Sequence, residues 1–231
     1  MQFELEMIHW FQDLRNGFLD FLFNFFTVFG EELVLIVILG FIYWSYDKKV
    51  GEKMGFTIFI SLAFNSLLKL VIHRPRPFVA DSTIEPLRLD TAGGYSFPSG
   101  HTQTAATTFF SLYYNIKKRW LLIVAIVITI LVAISRMYLG VHYLTDVLVG
   151  AALGITIAWI FGKYFDRIKK IDLVYSVILA LVVLSGVIIL VVNYLSNTSA
   201  GVIDAAQFYF DSEAVMKMLG TISGFIMAIK Y

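Results

Sequence analysis

The sequence predicts an all-α, polytopic membrane helical bundle of six transmembrane helices, with a seventh at the C-terminus as the alternative count. Three observations predict it. Of 231 residues, 58% are hydrophobic and only 15% are charged, whereas soluble domains are about half apolar and a quarter charged. The apolar residues come in long blocks rather than short alternating runs, the pattern of membrane helices. All four prolines, Pro75, Pro77, Pro86 and Pro98, fall in one stretch, which leaves the remaining chain free to be helical.

Residues 1–30 mix aromatic side chains with Glu4, Glu6, Asp13, Arg15 and Asp20, and read as an amphipathic segment at the membrane interface that leads into the first span. Leu33–Tyr46 is apolar but short of the roughly 20 residues a span needs. The first helix therefore either begins earlier, near Phe18, or is locally short. Glu31 and Glu32 read as its start, where acids favour the helix dipole. Met54–Ile72 is the second span, and residues 73–98 are the one long loop. Ser99–Tyr114, Trp120–Ser135, Val141–Tyr164 and Leu173–Tyr194 are spans three to six. Gly150 and Gly154 are spaced to let another helix approach closely. The core of six helices covers 31–194. Residues 195–231 are a polar loop and an apolar helix, and the whole of 1–231 reads as one membrane domain.

Basic residues in short loops orient the chain. Lys48, Lys49 and Lys53, then Lys117, Lys118 and Arg119, then Lys163, Arg167, Lys169 and Lys170 fall on one side if six spans alternate, and that side is read as the cytoplasm. The other side carries every motif described below. A formal net charge of +1 gives no case for nucleic acid as a partner. The absence of cysteine excludes disulfides and thiolate metal sites.

Three stretches carry chemistry. In the first, 69–77, Lys69 closes a mostly apolar helix on the same face as Ser61 and Asn65. Taken alone it reads as a lysine reaching for the interface. With Arg76 after a proline-stiffened turn, the pair looks like two cations aimed at one anion. His73 and Arg74 in the same turn read as solvated charge, with a specificity rim as the alternative. The second, 98–101, is Pro98-Ser99-Gly100-His101. A helix N-terminus offers free N–H groups to an anion. Gly100 allows close approach, Ser99 adds a hydroxyl, and His101 is placed as a general acid. The plain alternative is an ordinary serine-capped helix start.

The third, 135–146, places Arg136, His142 and Asp146 where titratable groups are expensive and by default functional. His142 and Asp146 are four apart and share a helix face. The carboxylate can fix the imidazole tautomer and leave the other nitrogen as a nucleophile or base, while Arg136 offers forked donors to a phosphate. Each motif alone is weak. Three anion-suited clusters at one membrane face point to one shared phosphate site.

Lys69-x6-Arg76-Pro77, Pro98-Ser99-Gly100-His101 and Ser135-Arg136-x5-His142-x3-Asp146 together resemble the three-part signature of the type 2 phosphatidic acid phosphatase (PAP2) family. That resemblance implies that His142 attacks phosphorus and carries a phosphohistidine, and that Asp146 orients it. It implies that His101 protonates the leaving oxygen, and that Lys69, Arg76, Ser99, Gly100 and Arg136 hold the phosphoryl oxygens. It implies no metal and no cofactor. The expected substrate is a lipid phosphate or diphosphate of the phosphatidic acid, phosphatidylglycerol phosphate or undecaprenyl diphosphate type. The expected setting is the extracytoplasmic face of a bilayer, with a bacterial plasma membrane preferred. As further loop cations, Arg74 and Arg88 would favour a diphosphate headgroup. The alternatives are a phosphatase of small soluble phosphates, a phosphotransferase, and a non-catalytic lipid or anion transporter. A transporter's charges should run through the membrane, whereas here they stop at one face.

Overall fold

The computed structural model describes residues 2–200 together with 216, 219–220 and 223–227, all of the regular structure in them helical. Helix α1 (Gln2–Asp13) is followed by a tight turn in which the Asn16 side chain accepts from the Leu19 N–H at 3.0 Å and starts α2 (Gly17–Thr27). A 3₁₀ turn at Val28–Gly30 leads to α3 (Glu32–Phe41), which runs on through a π-helical turn at Ile42–Tyr46. The two arms are bent by 53° at Gly30–Glu31 and together are apolar enough for one broken span. The interfacial reading of 1–30 therefore applies to α1 only, and the apolar stretch begins at Gly17, one residue from the Phe18 alternative.

Asp47 caps α4 (Lys48–Ile72), accepting from the Val50 N–H at 3.0 Å, and His73 in the left-handed conformation ends it. The proline-rich loop contains only the short helix α5 (Pro77–Ala80) and a 3₁₀ turn. Helices α6 (Gly100–Ile116), α7 (Arg119–Tyr138) and α8 (Leu144–Tyr164) follow with short connections. Residues 1–165 form one compact unit and residues 166–231 a second. Within the second lies α9 (Ile171–Ala200), where the Tyr175 ring meets Phe225 edge-on at 5.9 Å. The loop expected from residue 195 is helical to Ala200. The rest of it, and most of the segment considered for a seventh span, lie outside the described residues.

In the first unit α6 occupies the centre, packed by α4, α7 and α8 and by the 3₁₀ turn between α2 and α3. Every residue from Thr102 to Ser111 is buried. Two of its polar side chains, Gln103 and Thr107, are satisfied across α4. Asn65 donates to the Gln103 Oε1 at 2.9 Å, the Gln103 amide donates to the Ser61 carbonyl at 2.8 Å, and the Ser61 and Thr107 hydroxyls pair at 2.8 Å. A helix wrapped by protein need not be apolar, because buried polar groups that are hydrogen-bonded escape the desolvation penalty. Among the described residues four helices are long and apolar enough to cross a membrane, five with the broken pair; α6, with 17 residues and many polar side chains, is not one of them. Helix α8 lies close against α6. A Cβ on Gly150 would stand 2.7 Å from the Ser99 carbonyl oxygen, and one on Gly154 2.6 Å from that of Gln103.

The chain order puts the C-terminal ends of α4 and α7 and the N-terminal ends of α6 and α8 at one end of this bundle. The basic turns at Lys48–Lys53 and Lys117–Arg119 are at the other.

Candidate active site

All three motifs meet at that end. The turn after α7 is closed by the Leu139 N–H donating to the Ser135 carbonyl at 2.9 Å and the Val141 N–H to the Arg136 carbonyl at 3.2 Å. Gly140 takes φ +72°, and a Cβ there would also crowd Ile84 at 3.1 Å, so the turn favours glycine on two grounds. It delivers His142 just ahead of α8, 1% exposed, with Asp146 fully buried one helical turn later.

The two nitrogens of His142 face different neighbours. Nδ1 is 3.4 Å from Asp146 Oδ2 and 3.5 Å from the Ser96 hydroxyl. Nε2 is 3.2 Å from Arg76 Nη1. The Ser96 hydroxyl donates a very short bond to Asp146 Oδ2, which also accepts from the Tyr143 N–H at 3.0 Å. Asp146 is therefore held by neighbours on both oxygens, because Oδ1 accepts from Arg74 at 2.7 Å.

The cations surround the imidazoles. Arg76 is anchored by donating to the carbonyls of Gly93, Gly94 and Val141 at 2.6, 2.9 and 3.0 Å. Lys69 donates to the Tyr95 carbonyl at 2.5 Å. Arg136 is fully buried; its Nη1 donates to the Thr27 hydroxyl at 3.0 Å and to that of Thr91 at 3.4 Å, while Nε and Nη2 have no hydrogen-bond partner. Orphaned buried guanidinium donors are costly and suit a site that receives an anion. Arg76, Arg136 and Lys69 lie close enough to both His101 and His142 for their charges to act on each.

Gly100 opens α6, where a Cβ would meet nothing nearer than the Asn65 Oδ1 at 3.5 Å. Packing therefore does not require glycine there. The Ser99 hydroxyl is turned back onto its own helix, accepting from the Thr102 N–H at 3.4 Å and pairing with the Thr102 hydroxyl at 3.0 Å. In this conformation it is the ordinary cap of the plain alternative. His101 Nε2 has no hydrogen-bond partner and lies 4.0 Å from Glu31 Oε1.

Three residues seen around the motifs, Glu4, Glu31 and Ser96, escaped the sequence, and a fourth, Arg74, reads there as solvated charge. Arg74 is not solvated charge. It bridges Asp146 Oδ1 and Glu4 Oε2 at 2.7 and 2.8 Å and stacks 3.9 Å over the Tyr143 ring. Glu4 in turn accepts from the Thr145 N–H at 2.9 Å and its hydroxyl at 2.7 Å. Burial raises the Glu4 carboxyl, but the bonds from Thr145 and then Arg74 outweigh it and hold the group below its ordinary range. Glu31 is not just a helix start. It caps nothing with its side chain and pairs with Arg88 at 2.6 Å. Ser96 has no sequence signal beyond its place three residues before Ser99. Glu31 had one, since it is a charge interrupting a long apolar stretch.

Comparison with known proteins identifies the family. The model of the PAP2 superfamily matches residues 52–170. Phosphatidylglycerophosphatase B of Bacillus subtilis is 35% identical over 148 residues, 60% of this chain and 70% of the relative. The undecaprenyl-diphosphatase BcrC of Bacillus subtilis is 31% identical over 174 residues, 73% of this chain and 86% of the relative. The crystal structure of a transmembrane PAP2 type phosphatidylglycerolphosphate phosphatase from Bacillus subtilis superposes with a TM-score of 0.62 at 32% identity, covering 73% of this chain and 87% of that one. That of Aquifex aeolicus LpxE gives 0.63 at 28% identity, covering 70% and 96%. The chain belongs to the PAP2 superfamily. It is accordingly a phosphoric ester hydrolase with membrane helices.

Proposed function

We propose that the protein is an integral membrane phosphatase that hydrolyses a lipid phosphate or diphosphate at the extracytoplasmic face, through a phosphohistidine and without a metal. The observation that carries this reading is the pose of His142. Nδ1 faces a carboxylate, and Nε2 faces into a group of cations. In the Nδ1–H tautomer the Nε2 lone pair is directed to where Arg76, Lys69 and Arg136 would hold a phosphoryl group. His142 Nε2 attacks phosphorus while Asp146, steadied by Ser96, Tyr143 and Arg74, stabilises the imidazolium that forms. His101 gives its proton to the leaving oxygen and then takes one from the water that attacks the phosphohistidine. Fixed cations stabilise the charge on the equatorial oxygens, and in phosphoryl transfer such stabilisation, with positioning, supplies most of the rate enhancement.

The lipid assignment rests on where the cluster lies, at the ends of helices apolar enough to span a bilayer. The relatives named as phosphatidylglycerophosphatase and undecaprenyl-diphosphatase point the same way. We read 1–231 as one membrane domain with α6 as a sixth, protein-enclosed crossing. The basic turns then face the cytoplasm of a bacterial plasma membrane.

The test is phosphate release by the purified protein in detergent with excess EDTA, from phosphatidic acid, phosphatidylglycerol phosphate, a polyprenyl diphosphate and glucose 6-phosphate. Release from a lipid substrate that survives EDTA and disappears in His142→Ala is expected. Release abolished by EDTA, or preference for glucose 6-phosphate, contradicts the reading.

A further inference from the structure

The bend between α2 and α3 is pressed against the start of α6. A Cβ on Gly30 would stand 2.6 Å from the His101 carbonyl oxygen and 2.8 Å from its Cβ. The next residue, Glu31, has its carboxylate 4.0 Å from His101 Nε2 and in a 2.6 Å ion pair with Arg88. Both side chains of the facing pair are largely covered, 16% exposed for His101 and 20% for Glu31. Arg88 is itself fixed from α2, donating to the Asn24 carbonyl at 3.1 Å. The cations Arg136, Arg76 and Lys69 and the imidazole of His142 also lie near enough to act on His101. Glu31 is thus the carboxylate that faces the leaving-group side of the site.

Resting on the phosphohistidine reading, we infer that Glu31 is a specificity-determining residue that makes this site one for lipid phosphomonoesters rather than lipid diphosphates. Two effects act together. A monoester leaves as an alkoxide, which is strongly basic and needs a proton. As the phosphorus–oxygen bond breaks and the His142 Nε2–phosphorus bond forms, the proton on His101 Nε2 passes to that oxygen and the product is the alcohol. A carboxylate 4.0 Å from that nitrogen is too far for a hydrogen bond and close enough to stabilise the charged imidazolium.

A diphosphate leaves as a phosphate monoester, whose second ionisation lies at about 6, so it needs no such proton. It would bring a second anionic group beside His101, where Glu31 already stands, and like charges at that range repel. The two additional loop cations that a second phosphate would use are both engaged by carboxylates, Arg74 by Asp146 and Glu4 and Arg88 by Glu31.

The test compares the full-length protein in detergent on three substrates: a polyprenyl monophosphate, the diphosphate of the same polyprenyl chain, and p-nitrophenyl phosphate. The leaving group of the third needs no acid. Wild type should favour the monophosphate over the diphosphate by about tenfold or more in kcat/KM. Glu31→Gln should lower monophosphate turnover by about tenfold or more, change p-nitrophenyl phosphate by less than about threefold, and leave the diphosphate unchanged or faster. Glu31→Asp, which keeps the charge, should retain the wild-type ratio within about threefold. An equal loss on all three substrates would mean a structural role and overturn the inference. So would a wild-type preference for the diphosphate that Glu31→Gln leaves intact; His142-dependent turnover would in that case preserve the phosphatase reading. Wild-type turnover that is indifferent to His142→Ala would remove that reading and this one with it.

Discussion

The imidazole of His142 is prepared by what stands on each side of it, Asp146 and Ser96 at Nδ1 and Arg76 at Nε2. Removing it as His142→Ala should reduce turnover by a factor on the order of 1,000 or more, measured as phosphate release under saturating substrate. Ser96→Ala removes one hydroxyl from the carboxylate that orients the imidazole. The net worth of such a bond, about 1 kcal/mol, predicts a fall in kcat of roughly five- to tenfold with KM little changed. A change confined to KM would place Ser96 in substrate binding. At this scale the sequence exposed the residues whose chemistry is unusual at membrane depth: Lys69, Arg76, His101, Arg136, His142 and Asp146. It concealed those that act by pairing. Arg74 looked solvated because a loop arginine carries no mark of the carboxylates it meets, one 70 residues and one 72 residues away in sequence.

Helices α6 and α8 can approach because Gly150 and Gly154 present no side chain to the α6 backbone. Their spacing in the sequence carried that message. Gly154→Val would drive a branched side chain into the Gln103 carbonyl and the Ala106 methyl, both within 2.7 Å of the Cβ position. It should destabilise the protein by about 1–3 kcal/mol or more, seen as a lowered midpoint of thermal unfolding in detergent. A midpoint equal to that of wild type would mean the two helices are not packed this way.

Helix α1 is attached by carboxylates. Glu4 pairs with Arg74, and Asp81 in the loop accepts from the Thr83 hydroxyl and N–H at 2.6 and 3.0 Å and faces His9 at 3.0 Å. The Thr83 bonds and then His9 draw Asp81 down to about 2, and Glu4 is also held low. A carboxyl depressed in the folded state adds stability that is present above its ordinary value and lost as pH falls through the folded one. The attachment of α1 should therefore persist at pH 5 and weaken between about pH 4 and pH 2, read as faster amide exchange in 2–13. Unchanged exchange across that window would contradict it. The acids of α1 were visible in the sequence, but their partners in the proline-rich loop and at Thr145 were not. Nothing in the local pattern indicates a contact across 141 residues.

For the molecule as a whole, the helical class and the side of the bundle that carries the chemistry were legible. Both follow from where charge interrupts apolar runs. The span count was less so. Helix α6, 17 residues long, rich in polar side chains and enclosed by α4, α7 and α8, does not pass as a membrane helix, and a bend divides the first apolar stretch. The orientation makes a direct prediction, since the chain has no cysteine. In intact cells Ser82→Cys, in the loop beside the site, should react with a membrane-impermeant maleimide. Lys118→Cys should react only after permeabilisation. The reverse pattern would turn the molecule over.

Everything proposed for the site turns on His142 itself becoming phosphorylated. The most direct measurement is rapid quenching of the enzyme with a lipid phosphate labelled on its phosphorus, with wild type and His142→Ala run side by side. Protein-bound label is expected in wild type within the first turnover, stable to alkali and labile to acid as a phosphohistidine is, and none in the variant. Phosphate released from wild type with no labelled protein under any quench, or label that persists in His142→Ala, would contradict it.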